Sequence, residues 1–555
     1  MKYLTRLSAE CNAAKPFGSA GRCQMGKGFA RCVLSLAAAL SVAAMLASAA
    51  NAGTSCSVPA TNASDATSVV SPPDDLDAQE RELLRQRQEI DKKLADIAAR
   101  RKGASAASQP ASGPNATSPA PGPETAAAGS PATQPSVATA PDWYNVHGQT
   151  TIITQKHDTF RSPYSGPDSL PRDEGIKTSV TATLDLGLRM PWEGGEVYFD
   201  PEVSGGEGFG GVEGIAAFPN GDISHVGKPE PEPYVARLFY KQTFGQGGDT
   251  EKLAEGPNQL AVTSDVSRFT LILGKFSAVD YFQQSAYAND PRAQFMSEAL
   301  FTDGAWDYPA DTRGYTEGAV VELNQANWAL RYGALAMPKT ANGSTFDSRI
   351  PKALGHILEL EERYKLLFGR PGALRFMVFA NAAHMGNYGE ATAIAQRLGG
   401  TPDVARTRSF TVKYGFGLTL DQELTDDLGA FARLGWNDGH TETFAFTAID
   451  RSLAVGLSLK GTKWDRAQDV VGLAFVLDGL AHDHREYLAA GGLDFDIGDG
   501  QLPHYALEEV IEAYYRFKLS ENVWITPDFQ LVDHPAYNAD RGPVIIGGIR
   551  AHAEF

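Results

Sequence analysis

Thr411-Val412-Lys413-Tyr414-Gly415-Phe416-Gly417-Leu418-Thr419-Leu420 sets an apolar residue at every second position, with a small or polar residue between. A period of two is the period of a strand, because successive side chains point to opposite faces. The pattern recurs at Ala430, Ala432, Leu434 and Trp436, at Leu453, Val455, Leu457 and Leu459, and at Ile511, Ala513, Tyr515, Phe517 and Leu519. The intervening face, as in Lys413, Arg433, Lys460, Glu512 and Arg516, carries small or polar residues and never builds a second apolar wall. Connection lengths alternate as well: Leu424 to Asp427 is short, Asp438 to Asp450 long, Gly461 to Gln468 shorter, Gly479 to Leu507 very long, Ser520 to Asn522 minimal, and Asp533 to Gly542 longer. Strands with one apolar face, joined by short turns at one end and long loops at the other, predict an all-β, transmembrane antiparallel β-barrel of the outer-membrane kind.

The last strand continues the pattern, with Ile545, Gly547, Ile549, Ala551, Ala553 and Phe555 on one face. A Phe closing such a strand resembles the signal by which outer-membrane barrels are recognised for assembly, and it falls on the short-turn, periplasmic side. Glycine is abundant, at 56 of 555 residues, and mean hydropathy is −0.25. Both suit a barrel in which only alternate residues meet lipid and glycine serves turns and curved strands. No apolar run after the N-terminal region reaches the roughly 18 residues of a spanning helix. The net charge of −18 argues against a nucleic-acid partner, which calls for a basic patch. Cys11, Cys23, Cys32 and Cys56 all precede the strand pattern, so ladder hydrogen bonds and not disulfides must close the sheet.

The N-terminal region divides by composition. Residues 1–52 read as a signal peptide: Lys27 and Arg31 precede the apolar stretch Val33 to Ala49, and Ala50-Asn51-Ala52 supplies the cleavage pattern. Met25 is an alternative start. Cys56 lacks a lipoprotein lead-in. In the expected periplasmic segment 53–101, Leu76, Leu83, Ile90 and Ile97 recur every seven residues, which predicts a helix over 76–100. Its companion seam positions are Glu80, Arg87 and Leu94, so both a trimeric coiled coil and a single solvated helix remain open. Residues 102–141 are Ala, Pro, Ser, Gly and Thr in the main, a linker that cannot bury a core. The barrel is expected over 142–555. An even strand number follows if both its ends are periplasmic, and roughly 23 to 26 residues per strand with its connection give about 16 to 18 strands, of which 16 is taken.

Several stretches spread over the barrel resemble the carbohydrate-selective, OprB-type porins of Gram-negative outer membranes. They include Phe160 to Leu170, Phe199-Asp200-Pro201-Glu202 leading to Ala217 to Gly221, and Leu273 to Phe276 followed by Asp280. Tyr287 to Arg292, Gly304 to Tyr308, Arg313 to Thr316 and Thr526 to Gln530 continue the series. The resemblance implies a sixteen-stranded, water-filled barrel with loops folded inward, passing monosaccharides such as glucose down a gradient. The helix and linker before Pro141 depart from the simplest members of that family.

A sugar path needs aromatic faces and charged or amide groups that exchange hydrogen bonds with hydroxyls yet release them. The segment Lys275 to Arg313 offers Lys275, Asp280, Arg292, Asp303, Trp306, Asp307 and Arg313, in a stretch short of lipid-facing alternation and so assigned to an inward loop. The expected arrangement sets Arg292 and Arg313 opposite Asp280 or Asp307; the competing reading is that these charges only fold the loop on itself. Wall residues expected to face the lumen, among them Arg189, Arg237, Lys413, Arg433, Glu512, Arg516 and Arg550, are a second source of such groups: Arg189 and Arg433 are taken as further candidates for the sugar path, and most of the set should simply keep the channel wet. His440 and His482-Asp483-His484 are read as solvated loop histidines, without the ligand set of a metal site. Neither a cofactor nor a catalytic group is expected: Glu361 and Glu362 are adjacent in a strand and point to opposite faces. The implied partners are small sugars, outer-membrane lipid, the assembly machinery through the strand ending at Phe555, and further copies of the chain. A tether to the cell wall through the helix is the rival to a pure pore.

Overall fold

The computed structural model describes residues 143–555 apart from 224, 226–228 and 351. The expected leader, helix and linker therefore lie outside the described residues. β1 (Tyr144–His157), β2 (Lys177–Arg189), β3 (Gly195–Gly206) and β4 (Glu232–Gly245) open the sheet. β5 (Thr250–Leu253) and β6 (Val262–Asp265) form a separate two-stranded hairpin. β7 (Arg268–Phe276), β8 (Thr316–Asn324), β9 (Trp328–Ala336), β10 (Leu354–Lys365), β11 (Pro371–Met385) and β12 (Ser409–Glu423) follow. β13 (Leu428–Asn437), β14 (Arg451–Gly461), β15 (Arg466–Gly479), β16 (Glu508–Ser520), β17 (Val523–Asp533) and β18 (Val544–Glu554) complete the series. Helices lie only in connections among the described residues: α1 (Glu298–Phe301), α2 (Tyr388–Leu398) and α3 (His482–Ala489).

All strands but β5 and β6 join in one closed barrel of 16, each antiparallel to its neighbours. β18 pairs with β1 from Gln149↔Glu554 to His157↔Ile546, and Phe555 extends the ladder by exchanging backbone hydrogen bonds with Gly148. Closure leaves no unpaired edge, which is what a membrane-spanning sheet requires. The alternation read from the sequence is inside out relative to a soluble protein. Leu453, Val455 and Leu457 of β14 are 42–45% exposed on the outer face, whereas Ala454 and Gly456 between them are buried. Trp192 and Trp464 donate to the hydroxyls of Tyr240 and Tyr515 at the short-turn rim, and Trp436 packs on Tyr414 and Phe416 near the long-loop rim. These are the two aromatic girdles that flank an apolar band.

Short turns occupy one rim, with a single departure: the connection from β4 to β7 contains the β5–β6 hairpin. At the other rim, residues 277–315 between β7 and β8 fold across the lumen instead of standing outside it. Glycines on the inner wall admit this loop, since a Cβ at Gly435 would lie 1.9 Å from an Asp303 oxygen.

Three further loops close over the long-loop rim. His484 of α3 lies with Nδ1 3.0 Å from Asp450 and Nε2 3.1 Å from Asp494, and its ring stacks on Tyr388 of α2 at 4.2 Å. Tyr388 in turn donates to Asp494 and accepts from the Thr443 amide. The expectation of solvated histidines holds poorly here: His440 is exposed and pairs with Asp483, but His484 is fully buried, because the helix turns it into the junction of the loops. Burial alone would lower the His484 imidazole, yet the carboxylates of Asp450 and Asp494 outweigh it and raise it to about 9. A raised folded-state pKa means that the stabilisation is complete below about 6.5 and lost as pH rises through about 9. Amide exchange over 443–450, corrected for its intrinsic pH dependence, should therefore show local opening eased by on the order of 3 kcal/mol between pH 6 and pH 10. His484→Gln should flatten that dependence; equal protection at both pH values in the unaltered protein would count against it.

Candidate functional site

The loop at 277–315 is held against one side of the barrel by wall charges that the sequence reading expected to face the lumen, Arg433 among them as a candidate for the sugar path. Glu512 on β16 accepts the amides of Met296 (2.6 Å) and Ser297 (2.9 Å). Arg550 on β18 donates to the carbonyls of Pro291 (2.7 Å) and Gln294 (2.8 Å), and Arg433 on β13 to those of Leu300, Ala288 and Gln283. Lys413 on β12 pairs with Asp307 at 3.2 Å. Wall charges here anchor a loop, because buried loop carbonyls and amides need partners that an apolar wall could not provide.

Anchoring on that side leaves a cavity of about 790 Å³ on the other, against β2, β3, β4, β7, β8 and β9. Glu202 on β3 is its hub. One carboxylate oxygen accepts from Tyr234 and from Tyr315 (3.0 Å), the other from Thr183 and from Arg292 (3.0 Å). Arg292 also donates to Asp222 at 2.6 Å, and Arg313 reaches Glu232 at 3.1 Å while lying 4.2 Å over the Tyr234 ring. Arg237 forks onto Asp280 at 2.7 and 2.8 Å. A second ladder runs along the wall, where Arg331 bonds Glu322 (2.6 Å), Glu359 (3.0 Å) and Glu361 (2.9 Å). Charges of both signs and tyrosine side chains thus converge on one cavity.

Of the residues singled out from the sequence, Asp280, Arg292 and Arg313 of the loop and Arg237 of the wall line the cavity. Their partners differ from those expected: Arg292 and Arg313 face Asp222, Glu202 and Glu232, not Asp280 or Asp307. The reason is the path of the loop, whose 290–292 and 311–315 segments lie toward β2–β4 while 303–307 turns to β11–β13. Lys275 pairs with Asp311 at 3.3 Å. Asp303, Trp306, Asp307 and Arg433 are buried, with Trp306 packed between Phe282 and Tyr308 and no face open to a solute. Arg189 donates to the Ala261 carbonyl in the short-turn hairpin at 2.8 Å. Glu202, Asp222, Tyr234 and Tyr315 were not picked out. Glu202 and Tyr315 sit inside quoted stretches, and Asp222 directly follows another, but no local pattern marks them as one constellation.

A closed barrel with an apolar outer band, a charged interior and a loop folded across its lumen defines an outer-membrane porin. The family model for the carbohydrate-selective porin, OprB family, matches residues 175–555, and the chain belongs to that family. Its members are channels. A structure of Pseudomonas putida OprB at high pH is similar in fold over 75% of this chain and 94% of that one, at 16% identity and a TM-score of 0.56. The low-pH structure of Pseudomonas putida OprB covers 75% and 93% at 13% identity and a TM-score of 0.41. The outer membrane channel DcaP of Acinetobacter baumannii covers 74% and 97% at 9% identity and a TM-score of 0.43. No curated protein matches the chain in sequence.

Proposed function

We propose that this porin passes small, uncharged polyhydroxylated solutes, glucose-like monosaccharides and polyols, by passive diffusion. In this reading the long loops face outward, the short turns and the segment before residue 143 lie in the periplasm, and β18 is the strand engaged during assembly. The observation that carries the substrate reading is the Glu202 constellation. Carboxylates accept from sugar hydroxyls and guanidinium groups donate to them, while Tyr234, half-buried at the cavity, offers aromatic surface to the C–H side of a pyranose. An ion, by contrast, meets fixed charges of both signs in quick succession.

The test is single-channel recording with and without glucose. Replacing both Arg292 and Arg313 by Ala removes the donors and leaves Glu202, Asp222 and Glu232 in excess. Cation conductance should rise and glucose block weaken, by roughly thirtyfold if each of the two charged hydrogen bonds contributes about 1 kcal/mol to holding the sugar. A double variant that is blocked as strongly as the unaltered porin would remove the basis for this reading.

A further inference from the structure

Away from the lumen, positive charge gathers at one place on the outer wall. The connection between β9 and β10, residues 337–353, carries Lys339, Arg349 and Lys352 against Asp347 alone, in a chain whose net charge is −18. It stands at the long-loop rim, and two of its cations reach the lipid-facing side. The Arg349 guanidinium lies 4.6 Å and the Lys352 ammonium 5.7 Å from the centre of the Phe410 ring, whose quadrupole attracts both. Phe410 itself is 37% exposed, and Ile350, between the two cations in sequence, is 64% exposed.

The height of this cluster follows from the strand. Phe410 shares its face of β12 with Tyr414 and Phe416 of the long-loop girdle, since alternate residues point the same way. Lying four residues nearer the long-loop end than Tyr414, it sits about 13 Å further along β12, which is about 10 Å higher at a tilt of roughly 35–45°. That is the level of lipid headgroups, above the hydrocarbon. On β11 its cross-strand partner is His384, whose ring meets it edge-on at 5.4 Å.

Asp347 accepts from Arg349 Nε at 2.8 Å and Nη2 at 2.5 Å, which fixes the guanidinium and leaves Nη1 without a partner among the described residues. The Arg349 side chain is 51% exposed, and Lys352 is exposed with no described carboxylate in ion-pair reach. Two accessible cationic donors over one outward ring, beside an exposed isoleucine, are the complement of an amphiphile with a phosphate headgroup and acyl chains that run down the wall.

We propose that Arg349, Ile350, Lys352 and Phe410 form a binding site for an outer-leaflet lipid whose headgroup carries phosphate monoesters. It is independent of the sugar reading and rests only on the long loops facing outward.

Native mass spectrometry of the porin in uncharged micelles, titrated with bisphosphorylated lipid A, is the test. Half-saturation should need about fivefold more lipid in Lys352→Gln, the effect of one surface cation on an anionic headgroup, and the same amount as the unaltered porin in Lys352→Arg. Lys365→Gln, which removes an exposed cation from the opposite end of β10, should leave binding unchanged. Glucose block should be the same in all three variants, so that either reading can fail alone. Full binding in Lys352→Gln, an equal loss in Lys365→Gln, or phosphatidylglycerol bound as tightly as lipid A would each overturn the site. Dissociation of porin oligomers in Lys352→Gln with lipid binding intact would also overturn it, and assign the face to a second copy of the chain.

Discussion

Asp307→Ala should turn a constricted channel into a wider and noisier one. The Asp307 carboxylate accepts from Lys413 at 3.2 Å and from the backbone amides of Phe444, Ala445 and Phe446 at 2.9, 2.8 and 3.1 Å. It therefore ties the inward loop both to β12 and to the connection between β13 and β14. Its removal strands a fully buried ammonium group and three amides. Breaking a buried ion pair from one side costs about 3 to 5 kcal/mol, and each orphaned donor adds about 1 to 3. That cost falls on the 303–307 segment and on the connection between β13 and β14, which should loosen while Glu512, Arg550 and Arg433 still hold the rest of the loop, and the barrel keeps its complete ladder and should still assemble. Single-channel conductance should rise by roughly two- to fivefold as the passage widens. Asp307→Asn retains one acceptor for the amides and should fall between the two. If Asp307→Ala conducts and gates like the unaltered porin, the loop is held by other contacts and Asp307 is dispensable.

The same residue shows where the sequence was legible and where it was not. The strand pattern around Val412 to Leu420 is readable because lipid imposes one rule on every outward residue, and a local rule leaves a local trace. Glu512, Arg550 and Arg433 obey no such rule: each serves a backbone group more than 130 residues away in sequence, and their alternation marks only which face they occupy. Reading the segment from Lys275 to Arg313 as an inward loop follows from its lack of alternation. Which of its charges meet solute depends on where the loop crosses, and that is fixed by the anchors. The β5–β6 hairpin left little signal because strands of four residues, Thr250–Leu253 and Val262–Asp265, are too short for a clear period. His484 is buried by the packing of three separate loops, information that a His-Asp-His triplet does not carry.

The other large effect is expected at Glu202, and two substitutions separate its two roles. In Glu202→Ala, Tyr234, Tyr315 and Thr183 lose their Glu202 acceptor and Arg292 keeps Asp222 and the Thr183 hydroxyl, so the tyrosine rings are less firmly fixed and one negative charge leaves the rung. Glu202→Gln loses the charge but keeps an amide oxygen for the tyrosine hydroxyls. The reversal potential in a salt gradient should move toward anions equally in both variants, the opposite direction to Arg292→Ala with Arg313→Ala. Glucose block should fall by more than roughly tenfold in the alanine variant, which loses at least two positioned groups, and by less in the glutamine variant. If block fell equally in both, charge alone would set sugar affinity and the tyrosine geometry would be incidental. If block survived in Glu202→Ala while ion selectivity moved, the rung would filter ions, and sugar recognition would have to be sought at another level of the cavity.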